Sequence, residues 1–94
     1  MKRISIYENE EYQGWFNKES ATEIADYVKG DLYKTGKVLF VTAGGKFVVN
    51  SWTNTGYDCY RFAKDETEIA EILSRGGYSD DNKKLTEILN KFEL

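Results

Sequence analysis

A pair of glycines between two apolar segments is the feature that most constrains the fold of this chain. Gly44-Gly45 can adopt the positive φ angles of a two-residue hairpin turn, and a second loop at Thr53–Gly56 leads into another apolar segment. The segments are rich in β-branched and aromatic residues, which favour strands. The sequence therefore predicts a three-stranded antiparallel meander, with strands at Lys37–Ala43, Lys46–Trp52 and Tyr57–Ala63.

A two-residue turn at the glycines determines which side chains share a face of the sheet, because successive strand residues point to opposite sides. On this register one face is ordinary core and carries Val38, Phe40, Phe47, Val49, Tyr60 and Phe62. The second face mixes apolar and polar side chains, namely Lys37, Leu39, Val41, Lys46, Val48, Asn50, Trp52, Tyr57, Cys59 and Arg61. The sequence leaves open whether the chain's own elements cover this second face or whether a partner does.

The segment before the meander predicts a strand, a loop and a helix. Lys2–Tyr7 alternates in polarity as a half-buried edge strand does, and Glu8–Phe16 is expected to be a loop held by its aromatic rings. Ser20–Glu23 has the form of a capping box, and the apolar residues after it recur at helical spacing until Gly30. We therefore expect a helix between Ser20 and Gly30.

Two more helices are predicted after the meander. One opens at Asp65–Glu68 and ends at Gly76-Gly77, and the other opens at Ser79-Asp80-Asp81, with Leu85, Ile88, Leu89 and Phe92 facing inward. The resulting order, β-α-β-β-β-α-α, predicts an α+β fold with an antiparallel sheet and helices on at least one face.

Length and composition predict a single domain spanning residues 1–94, because a chain of this length builds one modest core. The aromatic content is 15%, so the core needs neither a metal nor a disulfide, and one cysteine cannot form an internal disulfide. We expect no signal peptide, because no apolar run follows Met1–Ile6, and no membrane span. These features together favour a cytoplasmic protein.

The charge distribution argues against binding to duplex nucleic acid. The formal net charge is −3, whereas duplex-binding proteins present a broad basic surface to the phosphates. A modest negative charge mainly favours solubility. The carboxylates that could form an acidic surface are Glu8, Glu10, Glu11, Glu68 and Glu71.

No motif in the sequence predicts an enzyme or a cofactor. Gly30–Lys37 has five residues between its glycines and no hydroxyl after its lysine, so it is not a phosphate-binding loop. The chain has no histidine for proton transfer. Cys59 lies in mid-strand without a base, as a small buried hydrophobe does. The carboxylates lack the spacing of a calcium loop, so no metal site is predicted.

The best candidate site is the second face of the meander. Aromatic rings beside an arginine are typical of the residues that dominate protein–protein interfaces, and rings can also stack on nucleobases. We therefore predict a partner-binding surface formed by Leu39, Lys46, Asn50, Trp52, Tyr57 and Arg61. The alternative is that helices or the segment Glu8–Phe16 cover this face as a second core.

In size, charge and composition the chain resembles the small acidic proteins that phages and mobile elements encode against host defence, including anti-CRISPR proteins. This resemblance implies a non-enzymatic inhibitor whose partner is a nuclease or another defence protein. An acidic surface could imitate nucleic-acid phosphates, although a net charge of −3 favours shape-specific inhibition. The alternatives are a binder of a small, nucleotide-like ligand that uses the second face, and a homodimer formed through that face.

Overall fold

The computed structural model of the protein describes residues 1–78 and 82–94. Over these residues the chain forms six strands followed by two helices. Their bounds are β1 Arg3–Glu8, β2 Glu11–Asn17, β3 Thr22–Lys29, β4 Thr35–Val41, β5 Phe47–Thr53, β6 Asp58–Phe62, α1 Glu66–Arg75 and α2 Lys83–Asn90.

The elements are arranged in three layers. Strands β3-β4-β5-β6 form an antiparallel sheet in sequence order, and β1 and β2 form a separate antiparallel hairpin. The hairpin packs on one face of the four-stranded sheet through Ile6 and Phe16, which meet Phe40 and Val48. Helices α1 and α2 pack on the opposite face through a larger apolar cluster centred on Leu39, Val49, Ile72, Leu73 and Leu85. The α+β class predicted from the sequence is confirmed.

The prediction of a helix between Ser20 and Gly30 is wrong, because this segment forms the edge strand β3. The register of β3 against β4 shifts between Glu23 and Ala25, as it does at a β-bulge. Ile24 and Ala25 therefore both pack against the helix-side cluster although they are neighbours in sequence. This pair of adjacent inward residues imitates helical spacing, and pairing with β4 overrides the weak local preference.

The loop expected at Glu8–Phe16 is also wrong, because most of it is strand β2. Glu8 pairs with Glu11, which leaves Asn9 and Glu10 as a two-residue turn with φ angles of 50° and 67°. Positive φ at both central residues defines the type I′ turn that connects tight hairpins. The predicted strand at Lys2–Tyr7 is confirmed as β1.

The three strands of the meander are confirmed, but both of its turns are built differently from the expectation. Val41 pairs with Phe47. The backbone N–H of Gly45 donates to the carbonyl of Thr42 at 2.9 Å, and that of Lys46 donates to the Thr42 hydroxyl at 3.1 Å. Only the second glycine has positive φ, at 80°. This is a three-residue loop with glycine in the left-handed position, in place of the expected two-residue turn.

The turn between β5 and β6 repeats the same pattern. Gly56 donates to the carbonyl of Thr53 at 3.3 Å, and Tyr57 donates its backbone N–H to the Thr53 hydroxyl at 3.1 Å. Gly56 has a φ of 114°. Both turns of the meander thus use a threonine followed three residues later by a glycine in the left-handed region.

The first turn is one residue longer than predicted and the second, expected as the four-residue loop Thr53–Gly56, is one residue shorter, so every β5 side chain lies on the opposite face from the prediction. Val48 pairs with Phe40 and with Phe62, so these three share the face that the hairpin covers. Val49 pairs with Leu39 and faces the helices. The predicted faces are therefore wrong for β5, whereas β4 and β6 keep their relation to each other because the two shifts cancel. Both faces of the sheet are largely covered by the chain itself.

The helices agree largely with the sequence prediction. Asp65 caps α1 by accepting a hydrogen bond from the backbone N–H of Glu68, and Gly76 ends the helix. In α2, Leu85 and Ile88 are buried and Leu89 packs against the core. The prediction that Phe92 faces inward is wrong, because this residue follows the helix and is 44% exposed. The predicted opening of this helix at Ser79-Asp80-Asp81 lies outside the described residues.

The turn geometry predicts opposite outcomes for two neighbouring glycines. Gly45→Ala places a β-carbon in the left-handed region and should lower the free energy of unfolding by about 1 kcal/mol. Gly44→Ala is the matched control, because its φ is not positive and an added β-carbon would meet only the Thr42 hydroxyl, at 3.9 Å. Urea unfolding of both variants measures the two free energies of unfolding. Equal losses of stability would contradict the left-handed conformation assigned to Gly45.

Candidate functional site

The six residues predicted to form a partner surface are separated by the structure. Leu39 is fully buried in the helix-side core. Asn50 is 7% exposed on the hairpin side, where its side-chain amide donates to the Asp58 carboxylate and to the carbonyl of Cys59. Neither residue belongs to a surface, and the prediction that the six share one face is wrong. The physical reason is the reversal of β5.

The other four predicted residues lie at the surface but at different places. The ring of Trp52 is half-buried and packs on the backbone of Gly36, where a β-carbon would lie 2.4 Å from the ring. Tyr57 is 57% exposed, and Lys46 is exposed in the loop between β4 and β5. Arg61 is half-buried on the helix side. Whether the exposed members contact a partner stays a prediction.

Arg61 is committed to an internal ion pair. Its two terminal nitrogens donate to the two carboxylate oxygens of Glu68, at 2.7 and 2.5 Å, and one of them also donates to the carbonyl of Phe62. Lys37 donates to the same carboxylate at 3.1 Å, as does the backbone N–H of Lys64. This ionic cluster fastens α1 to β4 and β6.

Glu68 is 8% exposed, so the prediction that it contributes to an acidic surface is wrong. Burial raises the pKa of its carboxyl, but the hydrogen bonds from Arg61, from the backbone N–H of Lys64 and from Lys37 outweigh that effect. The net result is a pKa of about 2, against an ordinary value of 4.5. Every oxygen of the buried carboxylate is thus matched by donors, as a buried charge requires.

A second group of side chains forms a surface that the sequence prediction missed. On the outer side of the β1–β2 hairpin, Trp15 lies opposite Ser5, and Tyr7 lies opposite Tyr12. Arg3, next along this side, places its guanidinium 5.2 Å from the centre of the Trp15 ring. We call Arg3, Tyr7, Tyr12 and Trp15 the aromatic face.

The rings of the aromatic face are large and accessible. Tyr7 is 53% exposed, Tyr12 57% and Trp15 51%, although the opposite side of the same hairpin is buried at Ile6 and Phe16. Tyr7 and Tyr12 pack edge to face, with ring centres 5.8 Å apart. The available signal in the sequence was Asn9-Glu10, a turn flanked by Tyr7-Glu8 and Glu11-Tyr12.

A cleft of about 950 Å³ lies between the hairpin turn and β6. Tyr7 and the carboxylates of Glu8 and Glu10 line one side, and Tyr57, Cys59 and Arg61 lie on the other. The Tyr57 hydroxyl lies 3.0 Å from the Cys59 sulfur, and this hydrogen bond raises the pKa of Tyr57. Because Tyr7 also belongs to the aromatic face, the cleft and that face form one continuous surface.

A smaller apolar patch lies on the loop between β3 and β4, where Leu32 and Tyr33 are 78% and 73% exposed. Asn54, in the loop between β5 and β6, holds this segment in place. Its side-chain carbonyl accepts from the backbone N–H of Lys34 and its amide donates to the carbonyl of Leu32, at 3.2 and 3.0 Å. Its backbone N–H donates to the carbonyl of Lys34 at 3.0 Å.

Comparison with protein-family models, with curated proteins and with solved structures found no match to this chain. Within residues 1–78 and 82–94, no three side chains of the types that bind metals are grouped together. In the same part of the chain, neither helix is long and apolar enough to cross a membrane.

The ionic cluster predicts a large effect for one buried carboxylate. Glu68→Gln leaves Arg61 and Lys37 half-buried without their counter-charge, so we expect a loss of about 3 kcal/mol in the free energy of unfolding. Glu71→Gln, on the exposed side of the same helix, should change stability by less than about 0.5 kcal/mol. Chemical denaturation measures both. A similar change in the two variants would mean that the cluster does not support the fold.

The low pKa of Glu68 also predicts how stability depends on pH. Because the pKa is about 2 in the folded chain and near 4.5 in the unfolded chain, the unfolded state binds the proton first as the pH falls. The contribution of Glu68 is complete above about pH 5 and is lost progressively between about pH 4.5 and 2. Denaturation midpoints recorded across this range should fall more steeply for the wild type than for Glu68→Gln. Parallel curves would contradict the assignment.

Proposed function

We propose that the protein is a non-enzymatic protein-binding module and that it contacts its partner through the aromatic face. The observation that carries this proposal is that three large rings stand half-exposed together on the outer side of a hairpin whose inner side is core. Tyrosine, tryptophan and arginine are enriched among the residues that contribute most binding energy at protein interfaces.

The aromatic face is already organised for binding. Tyr12 packs against Tyr7, and the guanidinium of Arg3 lies over Trp15. Side chains held in this way lose less conformational freedom when a partner covers them, so more of the contact energy contributes to affinity. The hairpin backbone is likewise fixed by its inner packing on the four-stranded sheet.

In its more specific form, the proposal is that the protein inhibits a host defence protein, such as a nuclease, on behalf of a phage or mobile element. The resemblance in size and composition to anti-CRISPR proteins supports this form, as does the cytoplasmic location expected from the sequence. Of the proposed acidic residues, Glu68 is buried. Glu71, on α1, accepts a hydrogen bond from the hydroxyl of Tyr27, on β3. This arrangement favours a shape-specific inhibitor over a mimic of nucleic-acid phosphates.

The alternative of a nucleotide-like ligand on the second sheet face has weaker support. The side-chain amide of Asn50 is buried and already donates to Asp58 and Cys59. The guanidinium of Arg61 already donates to Glu68 and to the carbonyl of Phe62. A ligand phosphate on that face would therefore have to compete with an internal carboxylate for the arginine.

Substitution of the rings tests the proposal. A tagged wild-type chain is used to capture partners from a bacterial lysate, beside Tyr12→Thr/Trp15→Thr, which keeps β-branched residues in the strand. Because hot-spot rings are removed, we expect the double variant to bind the captured partner at least about 10-fold more weakly. Its thermal transition should stay close to that of the wild type, because both rings lie on the outer side of the hairpin, away from the core.

The control is Leu32→Thr/Tyr33→Thr, which removes an even more exposed apolar pair from the loop between β3 and β4. This variant should keep the partner. Loss of capture in the control, or retention in the ring variant, would contradict the assignment of the surface. Light scattering of the purified chain adds one further outcome. A dimer that the ring substitutions dissociate would mean that the aromatic face binds a second copy and not a different protein.

A further inference from the structure

The cleft beside the aromatic face is a recess at the edge of a larger surface. The hairpin contributes Tyr7 to its lining, and the segment that enters β6 contributes Tyr57. Tyr7 connects it with Tyr12 and, further along the hairpin, with Trp15. A partner that covers the aromatic face would therefore also reach this cleft of about 950 Å³ at the Tyr7 end of the face.

The unpaired carboxylates that line the cleft outnumber its unpaired cations. Glu8 and Glu10 line it and are exposed, and within the described residues neither carboxylate has a hydrogen bond or ion pair. Arg61 is paired with Glu68, a carboxylate that it shares with Lys37 outside the lining. Lys64 is the remaining cation of the lining, so two unpaired carboxylates face one unpaired cation. The balance favours a positively charged occupant.

The rings supply a second, independent reason for a cation. Elsewhere in the chain, two partly exposed rings are covered by the chain's own cations. Arg75 lies 5.3 Å from the ring centre of Tyr27, and Lys84 lies 5.2 Å from that of Phe47. Among the described residues, no cation lies over Tyr7 or Tyr57. A lysine or arginine between these rings would gain the attraction between a cation and an aromatic face.

We propose that the partner presents a basic segment to this surface, with a lysine or arginine side chain entering the cleft between Tyr7 and Tyr57 and its charge meeting Glu8 and Glu10. This inference rests on the proposed function as a protein-binding module and specifies the chemistry of the partner. The carboxylates at the rim should also speed association with a basic protein, because opposite charges steer the encounter.

Peptides of known charge test the inference without the natural partner. The isotope-labelled chain is titrated with a short peptide of alternating arginine and glycine, and backbone amide shifts are followed by NMR. We expect the shifts to concentrate in Tyr7–Glu11 and Tyr57–Lys64. A peptide of alternating glutamate and glycine should produce none. Glu8→Gln/Glu10→Gln should weaken binding of the arginine peptide by about 5-fold or more.

Glu87→Gln/Glu93→Gln is the charge-matched control, because both residues are exposed and lie at the C-terminal end of the chain. It should bind the arginine peptide within about 2-fold of the wild type, since remote surface charges are screened by salt. Tyr7→Leu/Tyr57→Leu keeps the carboxylates and should weaken binding by about 3-fold or more. Absence of binding, shifts spread over all acidic surfaces, or equal weakening by the control would each overturn the inference.

The two proposals fail in different ways. If binding of the captured partner depends on Tyr12 and Trp15 but is unaffected by Glu8→Gln/Glu10→Gln, the proposed protein-binding function stands. The proposal that the partner presents a basic segment is then wrong. If no captured protein depends on the rings while the arginine peptide still binds in the cleft, the proposed protein-binding function of the aromatic face is wrong and the preference for cations stands.

Discussion

The register of the four-stranded sheet depends on a single hydrogen-bonding pattern that occurs twice. In each meander turn a threonine hydroxyl accepts from the backbone four residues later, and its carbonyl accepts from a left-handed glycine. Each turn therefore contains three residues, where the sequence predicted two in the first turn and four in the second. Because strand side chains alternate, a change of one residue in turn length decides that Val49 faces the helices and Val48 faces the hairpin. The two layers that cover the sheet follow from that choice.

Much of the fold could be predicted because the apolar patterns of the strands and the caps of α1 are local signals. The register error came from taking Gly44-Gly45 as the whole turn. The shared spacing of Thr42 with Gly45 and of Thr53 with Gly56 was present in the sequence and favours the longer loop. The strand β3 was harder, because its bulge places Ile24 and Ala25 on the same side. Only its pairing with β4 distinguishes it from a helix.

The candidate site was less accessible to sequence analysis, because exposure depends on how whole layers pack. The sequence left open whether the second face is covered. Its residues are divided between the two faces of the sheet, one of which α1 and α2 cover and the other the β1–β2 hairpin. The open rings lie on the back of the hairpin, a segment that was expected to be a loop. Glu68 illustrates the same limit for charge, since nothing in its local sequence separates it from Glu66 or Glu71. Glu68 is buried because α1 packs it against Arg61 of β6 and Lys37 of β4.

The hydrogen bonds of Asn54 have a consequence for how the sequence can vary. They join the loop between β5 and β6 to the loop between β3 and β4, so these two connections form one mechanical unit although they are separate along the chain. Insertions are normally tolerated in surface loops. Here an insertion in either loop would move the other, and a change in the length of one would select for a compensating change in its neighbour. The loop at Gly44, which lacks such a bridge in the described part of the chain, is the better place for a tag or a fused domain.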